Sequence, residues 1–146
     1  MGHIEMGNAC IAAVNARQWD KAANYLADDF TYADTTLGSL ALGKQGFLTL
    51  QKTMCAAAPD YQVTTENARE AGDKVHGTIH LQGTQATPLA FPGASPLLPP
   101  IPATGKRFSV TFPATVTWRA DKIAAIIADP PSTPTIFDQL GVQPPA

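Results

Sequence analysis

The sequence contains few of the residues that hold metals or form disulfides. Its 146 residues include two cysteines and three histidines. Cys10 and Cys55 lie far apart in segments with a helical pattern, so without a secretory context we expect small buried apolar side chains rather than a disulfide. His76 and His80 would stand about 13 Å apart on one strand face, too far to share an ion. We therefore expect neither a metal site nor a cofactor.

The sequence also lacks an excess of either charge and any long apolar run. Its formal net charge is -2, which gives no basic surface for nucleic acid. No apolar run approaches the roughly 20 residues that cross a bilayer, and no basic segment followed by a hydrophobic one opens the chain. We expect a cytoplasmic protein with neither a nucleic-acid nor a membrane partner.

Helical patterns come first along the chain, and strand patterns follow. Apolar spacing predicts a helical hairpin over residues 4–26 with a break at 17–20, and a third helix that follows residues 43–46, carries Phe47 to Cys55 and is ended by Pro59. Alternation predicts strands at residues 30–34, 61–69, 74–83, 107–118 and 122–128. A chain of this length fits one domain, so the sequence predicts a single α+β domain over residues 1–146.

The strand alternation separates an apolar face from a polar face. In residues 74–83, Val75, Ile79 and Leu81 alternate with His76 and His80, as expected of a half-buried strand. In the next strand, at residues 107–118, apolar side chains alternate with threonines. The apolar side chains are Phe112, Val116 and Trp118. These residues are the walls of a pocket in one interpretation and ordinary core in the other.

Two segments are rich in proline. Residues 88–102 contain six prolines among large apolar side chains, so this part of an insertion at 86–103 cannot form a regular strand. We expect a lid or an oligomer arm rather than a disordered loop, because disordered segments are poor in large apolar residues. The tail at 130–146 is also proline-rich, although the spacing of Ile136, Phe137 and Leu140 predicts one short docking helix.

Short motifs in a fixed order extend over nearly the whole chain. They are LADDFTYAD at 26–34, GKQGF at 43–47 leading to PD at 59–60, GDKV at 72–75 leading to GTQ at 83–85, TGK at 104–106, WRADKI at 118–123 and QLG at 139–141. This series resembles the SnoaL-like polyketide cyclases and ketosteroid isomerases of the nuclear transport factor two superfamily. The resemblance implies a cystatin-like conical fold, in which a helical hairpin and a third helix pack on a strongly curved antiparallel sheet around an apolar pocket. It also implies a homodimer formed through the outer sheet face.

The resemblance implies proton transfer at a carbon next to a carbonyl. That chemistry needs a carboxylate base in an apolar pocket. Asp34 matches the catalytic Asp of the isomerases, with Phe30 and Tyr32 beside it. The alternative is that Asp34 caps a turn before Thr35 and Thr36, where Asp is common.

The second catalytic group is harder to find. SnoaL-like cyclases carry an inward His and Asp on the last strand, where this sequence has Ile126 and Ala128. Asp129 is one residue late, so it reaches the pocket only if a bulge or the strand end turns it inward. Gln85 stands where the family often has His, and an amide cannot exchange a proton near neutral pH.

Two hypotheses follow from this pattern. The first is an enzyme, a cyclase, isomerase or lyase acting on a small hydrophobic carbonyl compound, with Asp34 as base and Tyr32 or Asp129 assisting. The second is a binding protein that keeps the cone and a hydrophobic ligand but has lost the proton-transfer residues. In both, the expected pocket walls are Phe30, Met54, Phe112, Val116, Trp118 and Ile126.

Overall fold

The computed structural model describes residues 2–34, 40–89 and 101–141. Four helices, α1 (His3–Asn15), α2 (Trp19–Ala23), α3 (Lys44–Ala57) and α4 (Ile136–Leu140), accompany six strands. The strands are β1 (Leu26–Asp34), β2 (Leu40–Gly43), β3 (Gln62–Ala71), β4 (Lys74–Thr84), β5 (Arg107–Arg119) and β6 (Lys122–Ala128). Residues 90–100 of the predicted lid or arm at 86–103 lie outside the described residues. So do the residues 35–39 that follow Asp34, where the alternative prediction put a turn, and the end of the tail at 142–146.

The first half of the chain departs from the predicted elements in two places. Leu26 begins β1 instead of ending the helical hairpin, because α2 ends at Ala23 and the carbonyl of Tyr25 accepts a sheet hydrogen bond from the Ile123 N–H at 2.7 Å. Strand β2 was not predicted, since it is only four residues long. The remaining helices and strands begin and end close to their predicted bounds.

The six strands form one mixed sheet in the order β2-β1-β6-β5-β4-β3. Neighbouring strands run antiparallel, as predicted, with the exception of β1 and β6, which run parallel. The chain reaches β6 from β1 only after all the intervening elements, so no hairpin dictates the direction of this pair. Irregular registers interrupt three of the pairings, and such bulges bend the strands that contain them.

The two faces of this sheet have different surroundings. We call the face toward the helices the inner face; Val75, Ile79 and Leu81 of β4 lie on it and pack in or against the core. On the opposite, outer face, His80 Nδ1 lies 2.7 Å from Thr111 Oγ1, and His76 Nδ1 lies 3.2 Å from Thr115 Oγ1. The predicted alternation of β4 is confirmed.

Glycine at one inner-face position makes room for an aromatic ring. Gly83 of β4 pairs with Phe108 of β5, and a Cβ added at Gly83 would lie 3.0 Å from the Phe108 ring and 3.1 Å from the Ala58 Cβ. Phe108 is 1% exposed and belongs to the main core. A side chain at position 83 would therefore displace the ring.

The proline-rich segments are fixed where they meet the sheet. Gln85 is fully buried; its amide donates to the carbonyls of Ile101 and Pro102 and accepts from the Thr104 hydroxyl at 2.7 Å. Leu89 and Ile101 form an antiparallel bridge and are both buried. Gln85 thus fastens the two ends of the insertion, and it does not line the inner cavity described below.

The tail covers the part of β5 that β6 leaves unpaired. The Gln139 side chain accepts from the Ser109 N–H and donates to the Ser109 carbonyl, at 2.6 and 2.7 Å, in place of a neighbouring strand. The predicted docking helix is confirmed as α4, which buries Ile136, Phe137 and Leu140. Covering an open strand edge in this way prevents edge-to-edge association.

The described residues can be examined for disulfides, membrane-spanning helices and metal-ligand clusters. Both cysteines are free, and burial raises the pKa of the Cys10 thiol to about 12. None of the helices described is long and apolar enough to cross a membrane. Within the same ranges, no three side chains of His, Cys, Asp or Glu cluster as metal ligands would. The cytoplasmic location stays a prediction.

Candidate functional site

A cavity of about 190 Å³ lies between the inner face of the sheet and the helices. Helix α1 contributes Cys10 and Ile11 to its wall, and α3 contributes Phe47, Leu50 and Met54. Most of its remaining lining is apolar and comes from β3, β4, β5 and β6. An apolar protein cavity of roughly 150 Å³ holds benzene, so this volume suits a small ring-sized molecule.

The alternation of β1 places a carboxylate in this apolar lining. Phe30, Tyr32 and Asp34 share the buried side of the strand, and Tyr32 and Asp34 line the cavity. Asp34 is 6% exposed, and the Tyr32 hydroxyl donates a 2.8 Å hydrogen bond to its Oδ2. This bond orients the carboxylate beside the cavity.

Tyr32 stays a hydrogen-bond donor over the whole neutral pH range. Burial first, and then the negative charge and the hydrogen bond of Asp34, raise the pKa of the Tyr32 phenol well above its ordinary value of 10.0. Its ring lies 5.1 Å from that of Phe47 on α3, between centroids. The position of the Tyr32–Asp34 pair is therefore fixed by strand β1, which carries both residues, and by the contact of Tyr32 with Phe47 of α3.

Five of the six predicted pocket walls line the cavity. They are Met54, Phe112, Val116, Trp118 and Ile126. Phe30 does not line it: the ring is 1% exposed and packs edge-on against Phe47, with centroids 5.1 Å apart. Because Phe47 stands in front of it, Phe30 is a core residue, and its predicted place in the wall is corrected.

The structure does not bring Asp129 to Asp34. A bulge does occur in β6, because Thr117 pairs with Ala125 and Trp118 pairs with Ile123. It lies before Ile126, however, and leaves Ile126 lining the cavity and Ala128 buried. Asp129 then points the other way: it is exposed and lies in a groove on the outer side with His76. A hydrogen bond from its N–H to the Pro113 carbonyl, at 2.9 Å, ties the strand end to β5.

Sequence reasoning missed a second polar pair in the cavity. The Tyr61 hydroxyl donates to Gln51 Oε1 at 3.1 Å, and both residues line the cavity. Tyr61 is 3% exposed, and burial raises its phenol pKa far above the ordinary value. Gln51 belongs to the α3 stripe with Phe47, Leu50 and Met54, at helical spacing. A polar residue within an otherwise apolar stripe was the available signal.

Trp118 brings a further polar atom to the wall. Its Nε1 is buried, and within the described part of the chain no hydrogen-bond partner faces it. The indole stacks on the His3 ring at 4.7 Å between centroids, and its benzo edge would lie 3.7 Å from a Cβ at Gly7. Trp118 therefore lies under the first turns of α1.

The charges around the cavity are few. Its described lining includes neither Lys nor Arg, and Asp34 is the one carboxylate among those residues. The ion pairs of the described chain, Lys44 with Asp28 and Arg119 with Asp29, involve residues outside this lining. Apart from the imidazole of His3, the described lining therefore offers an anionic ligand no side chain that can carry a positive charge.

Helices packed on one face of a bent mixed sheet define an α+β fold that solved structures share. TsrD from Streptomyces laurentii is 18% identical, with a TM-score of 0.75 over 98% of this chain and 99% of that one. A SnoaL-like polyketide cyclase from Agrobacterium tumefaciens is 15% identical, with a TM-score of 0.70 over 97% and 100%. A hypothetical protein with a ketosteroid isomerase-like fold from Catenulispora acidiphila is 19% identical, with a TM-score of 0.69 over 95% and 94%. At these identities the likeness establishes the fold.

The family follows from the sequence itself. The SnoaL-like domain profile matches residues 8–126. The chain therefore belongs to the SnoaL-like domain family, as its motifs predicted. A comparison with curated proteins finds no match.

Proposed function

We propose that this protein is an acid–base enzyme that moves a proton at the carbon next to the carbonyl of a small hydrophobic compound. The observation that carries the proposal is the carboxylate of Asp34, 6% exposed, in an apolar cavity and hydrogen-bonded to Tyr32. A carboxylate base in an apolar cavity is shielded from water, which would otherwise form hydrogen bonds to it in competition with the substrate. Membership of a family that includes polyketide cyclases supports this class of reaction.

The proposed reaction begins when a carboxylate oxygen of Asp34 takes the proton from the α-carbon. The electron pair of that C–H bond becomes the enolate, and Asp34 becomes a carboxylic acid. In an isomerisation the acid returns the proton to another carbon of the enolate system. In a cyclisation the enolate carbon forms a bond to a second carbonyl carbon of the same molecule, and the new alkoxide takes the proton. Tyr32 keeps the carboxylate oriented through both steps.

Hydrogen–deuterium exchange tests this proposal without knowledge of the natural substrate. Acetophenone is incubated with the protein in D₂O, and loss of its methyl signal is followed by proton NMR. We expect Asp34→Asn to slow the protein-dependent exchange about 100-fold or more, the usual contribution of a general base.

Asp129→Asn is the matched control, because Asp129 lies outside the cavity and should not affect exchange. Equal exchange rates in the wild type and Asp34→Asn would contradict the proposal. Equal losses of the exchange rate in Asp34→Asn and Asp129→Asn would also contradict it.

A second candidate function is a binding protein for a hydrophobic small molecule. The observation that favours it is the scarcity of acidic and basic side chains in the cavity, where Asp34 is the one carboxylate and His3 the one imidazole of the described lining. Native mass spectrometry of the purified protein would detect a retained ligand. A ligand recovered unchanged after long incubation, together with no exchange of acetophenone, would favour binding over catalysis.

We further propose that the protein forms a homodimer through the outer face of its sheet. Ile127 of β6 supports this proposal, because it is 49% exposed and no other large apolar side chain of the described residues is as open. The outer-face histidines and threonines would then meet their counterparts in the second copy. A small hydrophobic molecule remains the proposed ligand of each subunit.

A further inference from the structure

The Gln51–Tyr61 pair fixes the direction of a polar group in the cavity. Tyr61 lies between α3 and β3 in sequence and is buried, and its raised pKa keeps the phenol protonated. Its hydroxyl therefore donates to Gln51, and the amide oxygen of Gln51 accepts. The amide nitrogen then carries two N–H groups on the other branch of the same planar group.

We infer that Gln51 Nε2 donates the hydrogen bond that holds the carbonyl oxygen of the substrate, and that Tyr61 is its positioning residue. Among the residues the structure describes, none accepts a hydrogen bond from this nitrogen, while the side chain lines the cavity and is partly exposed. The inference rests on the proposed function and narrows its substrate class to neutral carbonyl compounds.

The position of Gln51 suits a group that faces the base across a small molecule. Phe47 contacts the Tyr32 ring, and Gln51 lies four residues further along α3. Four residues advance an α-helix by about 6 Å on the same face, roughly the length of a ring-sized substrate. A carbonyl oxygen at Gln51 would thus leave the neighbouring carbon near the β1 wall, which carries Asp34.

A neutral donor suits the charge that the reaction develops. When Asp34 takes the proton, negative charge moves from its carboxylate to the substrate oxygen, and a fixed N–H stabilises that oxygen more as the charge grows. The cavity lining described above holds neither Lys nor Arg. A phosphate or carboxylate group buried in the cavity would therefore find no Lys or Arg as a counter-charge, and the one imidazole of the described lining, His3, is stacked on Trp118.

Trp118 is a competing donor, because its Nε1 is buried and meets no hydrogen-bond partner among the residues that the structure describes. Its neighbours are His3 and the backbone at Gly7 of α1, whereas Gln51 projects from α3. The two donors therefore belong to different walls, and a bound carbonyl can be assigned to one of them by measurement.

Two isosteric probes provide that measurement. Acetophenone carries a carbonyl, and α-methylstyrene replaces its oxygen by a CH₂ group while keeping the same ring. Their dissociation constants and the side-chain N–H signals of Gln51 and Trp118 are measured by ¹H–¹⁵N NMR titration. Ring-current shifts are common to both probes, so a shift produced by acetophenone alone reports the hydrogen bond.

We expect acetophenone alone to shift the Gln51 amide protons downfield. In Gln51→Leu we expect the ratio of the acetophenone to the α-methylstyrene dissociation constant to rise roughly 3- to 10-fold, as for loss of one hydrogen bond. In Tyr61→Phe the carbonyl-specific shift of the Gln51 amide should shrink, while α-methylstyrene binding, which reports an intact cavity, should stay within about twofold.

Other outcomes would overturn the inference. Equal effects of both probes on Gln51, or a carbonyl-specific shift at the Trp118 indole instead, would exclude Gln51 as the donor and leave the proposed function standing. Binding of neither probe would remove the cavity as the site and would overturn both proposals. Asp129→Asn, at a residue outside the cavity, should leave the ratio unchanged.

Discussion

Asp34 and Asp129 lie at the same end of the sheet and have opposite surroundings. Asp34 of β1 pairs with Ala128 of β6, and Asp129 is the next residue after that partner. Asp34 is buried in the cavity wall, whereas Asp129 is exposed on the outer side. One residue of strand register thus separates an acid in an apolar cavity from an acid in water. The chemistry available to a carboxylate here depends on its face of the sheet.

The largest expected effect of that difference is on stability. Phe108 on the inner face is 1% exposed, so Phe108→Ala should lower the free energy of unfolding by about 3–5 kcal/mol. Thr117→Ala on the outer face removes a partly exposed hydroxyl and should change it by less than about 0.5 kcal/mol. Urea unfolding followed by circular dichroism measures both. Similar losses in the two variants would show that the inner face is not the main core.

Alkaline pH should destabilise the protein through its inner face. The phenols of Tyr32 and Tyr61 have raised pKa values in the folded state, so they remain neutral there but ionise near pH 10 in the unfolded chain. Their contribution to the free energy of unfolding is complete below about pH 9 and falls as the pH rises further. By pH 11 each phenol should have lowered the free energy of unfolding by about 1.4 kcal/mol.

Urea unfolding between pH 8 and pH 11 tests this dependence. Tyr61→Phe should remove about half of the loss that the two phenols cause. An unchanged pH dependence in this variant would show that Tyr61 is not the buried group that the structure describes.

A smaller effect is expected for the hydroxyl that orients the base. Tyr32→Phe keeps the ring against Phe47 and removes the hydrogen bond to Asp34. We expect acetophenone exchange to slow about tenfold, since a misoriented carboxylate meets the α-proton less often. The α-methylstyrene dissociation constant should not change. A loss as large as that of Asp34→Asn would instead place Tyr32 among the groups that act on the substrate directly.

The smallest effect on stability, and a specific effect on assembly, is expected on the outer face. Ile127→Lys should change the free energy of unfolding by no more than about 0.5 kcal/mol, because the side chain is 49% exposed. It should convert the proposed dimer into a monomer in sedimentation velocity. Gln45→Lys adds the same charge at an exposed position of α3 and should leave the dimer intact. A monomeric wild type would refute the dimer.

Local patterns predicted most of the fold. The alternation in β4 placed His76 and His80 opposite Val75, and the spacing in the tail predicted α4, because each signal resides in a few consecutive residues. The order of short motifs predicted the family. Asp34 was found through the resemblance of residues 28–34 to the isomerase segment that carries the catalytic Asp, and the alternation of Phe30, Tyr32 and Asp34 in β1 agrees with its buried position.

The failures concern contacts between distant segments. The bulge in β6 depends on how β5 pairs with it, so the direction of Asp129 could not be read from residues 122–129 alone. Phe30 is shielded by Phe47 from another element, and Gln51 meets Tyr61 across the turn after α3. Side-chain partners of this kind are set by tertiary packing, which periodicity does not encode.

The parallel pairing of β1 with β6 has a consequence for how the chain folds. While the protein is being synthesised, the four-residue β2 is the one strand that pairs with β1 before β6 is made, and a two-stranded ribbon is marginally stable in water. The strand that carries the proposed base is paired on both sides only after β6 has been made. Such dependence on remote contacts slows folding and makes it sensitive to truncation, so removal of β6 should leave a nascent chain without a formed site.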